Sequence, residues 1–230
     1  MDHALGGPGF LSSRSNFGAD ISLIFALGFT TLFIISGFLG KRGMGLTHHW
    51  MILASMALMF GYFIFYYNVR RLGVESYADR LHYGEGLTYM KLFRPVLLVH
   101  FVTVVLSSFF AFYTTITGYR AAERVDGEMK LSNKRLPLSK PLWVIGFLWF
   151  AFLLWTLSVI LGSVHGSRGL SFGLMFITVG YLLPALLALV IHKNLPFAEG
   201  RHRFMGRVTV GLYALLLVTS TLTWSILYVL

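Results

Sequence analysis

The 230-residue chain contains no cysteine. That excludes disulfides, thiolate metal sites, thiol-based copper chaperoning and covalent haem attachment through a cysteine pair. The chain is also poor in charge: 12% of its residues are charged and 56% are hydrophobic, against roughly 25% charged in soluble domains. Six long stretches, over 21–40, 50–68, 95–119, 142–162, 170–191 and 208–230, hold no Lys, Arg, Asp or Glu. Each has about twenty residues, enough to cross roughly 30 Å of hydrocarbon as a helix. In lipid, every backbone N–H and C=O must be satisfied within the protein, which favours helices. The expected fold is all-α: a single polytopic membrane bundle over 1–230, with about six transmembrane helices arranged as three hairpins.

The missing carboxylates narrow the function. Ion pumps and cation transporters use intramembrane acids, and none lies within these stretches. No carboxylate pair, Ser/His/Asp set or glycine-rich phosphate loop stands out, so no enzyme activity is expected. The longest connecting segments, about 69–94 and 120–141, are too short to fold alone. The first twenty residues are rich in Gly and Ser and lack a basic segment feeding an early apolar one, unlike a signal peptide. The first span is therefore expected to be retained.

Basic residues are plentiful, giving a net charge of +10, and they lie in the connections beside apolar spans. That placement points to a bilayer surface and not to nucleic acid. The connections 41–49, 120–141 and 192–207 carry twelve of the nineteen Lys and Arg residues, among them Lys41, Arg42, Arg120, Arg124, Arg201 and Arg207. Taking the basic side as inside, a multi-pass chain with both termini outside is expected.

What remains for chemistry is histidine, present eight times. His100 lies about five residues into the third span, roughly 7 Å deep. A neutral imidazole there would suit a metal, or would be satisfied by a neighbouring hydroxyl or carbonyl. His48, His49, His192 and His202 fall at the inner boundary, on the second, fifth and sixth spans. Rings at matched depth on different helices suit axial haem ligation or a transition-metal site. His48 with Met51, and His202 with Met205, share an i, i+3 spacing that puts each pair on one helical face. Imidazole with thioether suits Cu(I); lipid-facing histidines and packing methionines are the alternative. His82 and His165 fall in outer connections among tyrosines typical of a membrane interface. Hydroxyls at Thr103, Ser107, Ser108, Thr114, Thr115 and Thr117, and at Thr219, Ser220, Thr221 and Thr223, can bond back to their helices or across to neighbours.

The return helices begin alike. Aligning His48 with His202 also pairs Trp50 with Phe204 and Met51 with Met205. This reads as a repeated helical hairpin, although any basic turn before a span would look similar.

Four segments carry a family likeness: Gly40-Lys41-Arg42-Gly43 ahead of His48-His49-Trp50-Met51; Tyr62-Phe63-Ile64-Phe65-Tyr66; Gly84-Glu85-Gly86 with the run from Tyr89 to His100; and His202-Arg203-Phe204-Met205-Gly206-Arg207-Val208-Thr209. Together they touch about half the chain. In them the chain resembles a family of small bacterial membrane proteins of unassigned domain function that includes CtaM and YozB. Two departures are visible: Tyr66 stands where the family has a histidine, and six spans replace the compact members' four. The resemblance implies a role in maturation of haem–copper terminal oxidases in the bacterial cytoplasmic membrane, with oxidase subunits as partners. The histidines it carries over are His48 or His49, His100 and His202, as sites for haem or copper. Two other functions fit the residues: a di-histidine haem b membrane cytochrome passing electrons from quinol, and a structural accessory subunit of a respiratory complex. A same-helix histidine pair spaced for stacked haems, the usual mark of the cytochrome, is missing.

Overall fold

The computed structural model describes residues 6–71, 89–135 and 182–229, with the side chains of 64–71, 89 and 90 outside the description. It is mostly helical. In chain order the elements are α1 (Phe17–Lys41), α2 (Gly45–Arg71), a π-helical turn (Tyr89–Phe93), α3 (Arg94–Ala121), β1 (Ala122–Val125), β2 (Glu128–Leu131), α4 (Leu183–Asn194) and α5 (Ala198–Tyr228).

Three stretches, Phe17–Lys41, Lys91–Ala121 and Ala198–Tyr228, are long and apolar enough to cross a membrane. Only 22% of the apolar window is buried in the first and last of them. Large side chains such as Ile24, Phe38, Leu98, Val99, Val218 and Leu222 face outward. A water-soluble helix turns its apolar stripe inward; these helices leave apolar side chains outside, which is compatible with lipid contact. The expected span 142–162 lies outside the described residues, as do His82 and His165, and of 170–191 only the end from Leu182 is described.

Chain contacts group into two units, residues 1–103 with 210–230, and residues 104–209. In the first, the Asn16 side chain accepts a bond from the Ala19 N–H at 2.8 Å and starts α1 four residues before the expected span. α1 stops at Gly43, whose φ of +80° favours glycine. Met44 N–H reaches Leu39 O and Gly43 N–H reaches Gly40 O, each within 3.2 Å, a Schellman end. This three-residue turn returns the chain antiparallel as α2, the first expected hairpin. Ser55 Oγ donates to Phe29 O at 2.7 Å between these helices. Tyr213 of α5 stacks on Phe33 with centroids 3.9 Å apart and donates its hydroxyl to Met59 Sδ at 3.2 Å.

In the second unit, the 120–141 connection holds a β-hairpin where a plain loop was expected. Ala122 pairs with Leu131 and Val125 with Glu128, antiparallel. The turn is Asp126-Gly127, with φ of +53° and +82°, the pair of left-handed residues that a tight I′ turn demands. Asp-Gly between two short alternating runs is a sequence signal for that turn. Ala198 N–H donates to Lys134 O at 3.0 Å, and Ala121, Ala198 and Leu131 pack together. The hairpin thereby joins the end of α3 to the start of α5. α5 begins ten residues before the expected span, so His202 and Met205 lie inside the helix.

Candidate functional site: the histidines

His48, His100 and His202 each bond a residue of another helix, and the bonding partner bears on which ring nitrogen carries the proton. His48, in the first turn of α2, places Nδ1 2.8 Å from Ser36 O and 2.9 Å from Ser36 Oγ. A carbonyl oxygen only accepts, so Nδ1 holds the hydrogen and the neutral ring's lone pair is on Nε2. The Ser36 hydroxyl donates onward to His48 O at 3.0 Å.

His202, in the second turn of α5, sets Nδ1 3.2 Å from Thr114 O, and the same rule puts its lone pair on Nε2. His100 on α3 bonds through Nδ1 to Thr219 Oγ1 at 3.1 Å. The Thr219 hydroxyl also lies 3.2 Å from Leu216 O; when it donates there it accepts from Nδ1–H and His100 takes the same tautomer, and when it donates to Nδ1 His100 takes the other. The neighbouring-hydroxyl arrangement foreseen for His100 is the one found, and it is compatible with ligation through the other nitrogen. A second group that fixes tautomer and ring orientation in this way is the usual accompaniment of a metal-bound histidine.

His192 is the opposite case. Arg201 Nη1 lies 2.6 Å from its Nδ1, and a guanidinium only donates. Nδ1 accepts, and the hydrogen belongs to Nε2. Burial, then the nearby charges of Arg201 and Arg120, hold the His192 pKa below its ordinary value. His49 stands beside His48 with ring centroids 5.6 Å apart; burial foremost, and then the His48 charge, lower its pKa.

Glycines seat two of these rings. A methyl group on Gly40 would lie 3.1 Å from His48 Nδ1, and one on Gly118 would lie 2.6 Å from His202 Cε1. Met205 is fully buried and Met51 is half-buried. Within the first unit, His48 and His100 occupy different levels. Gly37 meets Val210 at the α1 end, and Thr219 lies nine residues further along α5, about 13 Å of rise. Among the described residues, no three His, Asp or Glu side chains gather into a metal-binding group.

The sequence reading missed two buried charges. Asp20 is fully buried; its Oδ2 accepts from the N–H groups of Phe10 and Leu11 at 2.6 and 2.8 Å. Its Oδ1 has no hydrogen-bond partner among the described residues. Arg201 is 1% exposed. It donates from Nε to Leu195 O at 3.0 Å and from Nη2 to Pro196 O at 2.9 Å. A helix-capping Asn16 four residues before an acid was the available signal for the first. Nothing in the run of basic residues distinguished Arg201 from its exposed neighbour Arg203, which pairs with Glu199 at 2.6 Å.

The helices and their outward apolar faces are compatible with a multi-pass membrane protein in contact with a lipid bilayer. No family model, curated protein or solved structure matches the chain.

Proposed function

We propose that this chain is a non-enzymatic maturation factor for a haem–copper terminal oxidase in the bacterial cytoplasmic membrane. It holds haem or copper through histidine Nε2 atoms while the cofactor passes to an oxidase subunit. One observation supports this most: His48 and His202, which stand among the positions the family likeness carries over (His48 or His49, His100 and His202), share a tautomer with the lone pair on Nε2, whereas His192 does not. Imidazole coordinates metals in its neutral form through one lone pair, and this tautomer suits that chemistry. Bound copper or haem iron would supply the redox-active centre; His48, His100 and His202 would orient and hold it. A single imidazole at each position leaves coordination open to the client, which suits a transient carrier more than a permanent cytochrome.

The test is a His100→Ala and a His202→Ala substitution in the cells that make the protein. Each is expected to lower assembled, spectroscopically intact oxidase several-fold while the factor itself accumulates normally. Unchanged oxidase in both variants would remove the proposed role. Stoichiometric haem b in the purified chain, with a reduced-minus-oxidised α-band, would instead favour the cytochrome.

A further inference from the structure

His48 and His202 are held by the same local design, built twice. In the first unit, α1 offers Ser36 and, four residues on, Gly40; in the second, α3 offers Thr114 and, four residues on, Gly118. Each histidine packs its ring against the glycine and gives its Nδ1 hydrogen to the backbone carbonyl of the hydroxyl residue. Four residues is one helical turn, so carbonyl and glycine share a face and together fix the ring's position and rotation. In both, a methionine follows the histidine by three residues on the same face, Met51 and Met205. The hydroxyls differ: that of Ser36 bonds His48 O, and that of Thr114 bonds Thr209 Oγ1 at 3.3 Å. The aligned pair His48/His202 thus has matched seats as well as matched letters, and the methionines Met51 and Met205 match in spacing. A basic turn alone does not require a glycine under the ring or a carbonyl at Nδ1.

We infer that the chain carries two equivalent metal-ligating seats, one at His48 and one at His202, each taking a soft monovalent ion of the Cu(I) class. The donor set at each would be imidazole Nε2 with the thioether three residues on, and imidazole with soft thioether sulfur suits Cu(I). His100 is not a third copy. Its Nδ1 partner is a side-chain hydroxyl, and three residues on stands Thr103, which has no sulfur. This inference rests on the proposed reading of the histidines as ligands, and it adds number, equivalence and metal class.

The full chain in lipid nanodiscs, titrated with Cu(I) against a chromophoric chelator, measures it. The wild type should bind two Cu(I) of similar affinity. His48→Gln and His202→Gln should each bind one, and the double variant none. Glutamine can still donate an amide hydrogen to the Ser36 or Thr114 carbonyl, which favours retention of the fold; circular dichroism of each variant checks this. Met51→Leu and Met205→Leu should each weaken one of the two sites at least tenfold. A wild type that binds one ion or none, or a double variant that still binds two, would overturn the inference. The oxidase test stands apart: defective assembly in His202→Ala beside a single-copper wild type sinks the duplication alone. Two coppers with normal oxidase in both alanine variants sinks the maturation role alone.

Discussion

Among the described residues, each unit of the molecule buries one charged side chain, of opposite sign, and both are met by backbone groups. In the unit formed by 1–103 and 210–230, Asp20 receives two N–H groups from the segment before α1 and sits in the first turn of that helix, where unpaired amides favour negative charge. In the unit formed by 104–209, Arg201 gives its hydrogens to the carbonyls of Leu195 and Pro196 and to the His192 ring. Among the described residues the ion pairs are Lys134–Glu123 and Arg203–Glu199, neither involving these two. The shared lesson is that a chain short of carboxylates can still bury charge where its connections turn irregular and expose main-chain dipoles. The difference lies in what is held. Asp20 organises the segment ahead of a helix, whereas Arg201 locks the α4–α5 connection and fixes a histidine tautomer.

The most severe way to break this comparison is Arg201→Met. It removes the donors to two part-buried carbonyls and the charge that orients His192. A loss of about 3 kcal/mol is expected, since hydrogen bonds to charged groups contribute about 1.5–3 kcal/mol each and the desolvation of Arg201 is relieved in part. Reversible unfolding in mixed detergent micelles would measure it, and a variant as stable as the wild type would show that the clamp has no structural weight. Asp20→Asn retains size and one acceptor oxygen and loses the charge, so about 1 kcal/mol is expected in the same assay. If the two substitutions cost the same, charge is not what sets the clusters apart.

How far this could be read from sequence depends on the length scale of the signal. The long uncharged runs marked α1, α2, α3 and α5, because some twenty apolar residues without a charge leave few alternatives to a long helix. The hairpin at 122–131 was readable from Asp126-Gly127 but was passed over, since a turn in a basic connection between spans resembles any other loop. The early start of α5 at Ala198 was not readable from apolarity, because its first turns are polar and are held by Lys134 O and the neighbouring hairpin. Histidine was legible as the available reactive type. Which ring nitrogen carries the hydrogen was not, because that depends on Ser36 O, Thr114 O, Thr219 and Arg201, all contributed by residues nine or more positions away. The Ser36-x-x-x-Gly40 and Thr114-x-x-x-Gly118 patterns were visible, yet only the glycine contacts give them meaning.

The two histidine seats invite a finer comparison. A β-carbon on Gly118 would lie 2.6 Å from the His202 ring, and one on Gly40 would lie 3.1 Å from that of His48. Gly118→Ala should therefore push its ring off the Thr114 carbonyl, costing about 2 kcal/mol by overpacking. Gly40→Ala needs a few tenths of an ångström and should cost less than about 1 kcal/mol. The imidazole NMR shifts of selectively labelled His202 should move in the first variant, with those of His48 nearly unchanged in the second. Equal losses would mean that the seats differ less than their contact distances indicate.

The smallest expected effect is acid sensitivity confined to the Arg201 clamp. His192 has a pKa below its ordinary value of 6.5, because burial and then the Arg201 and Arg120 charges disfavour the imidazolium. Between the folded and unfolded pKa values the unfolded chain binds more protons, so folding stability falls as pH drops through that window and levels off below the folded value. Protonation also places a hydrogen on Nδ1, facing the donors of Arg201, so the contact at 2.6 Å cannot survive it. His192→Gln supplies an oxygen acceptor to Arg201 and does not titrate. His49, also lowered, titrates in both proteins and cancels in their difference. Melting temperatures recorded from pH 7 to pH 4.5 should decline more steeply for wild type than for His192→Gln. Parallel curves would mean that the Arg201–His192 contact contributes no pH dependence to folding.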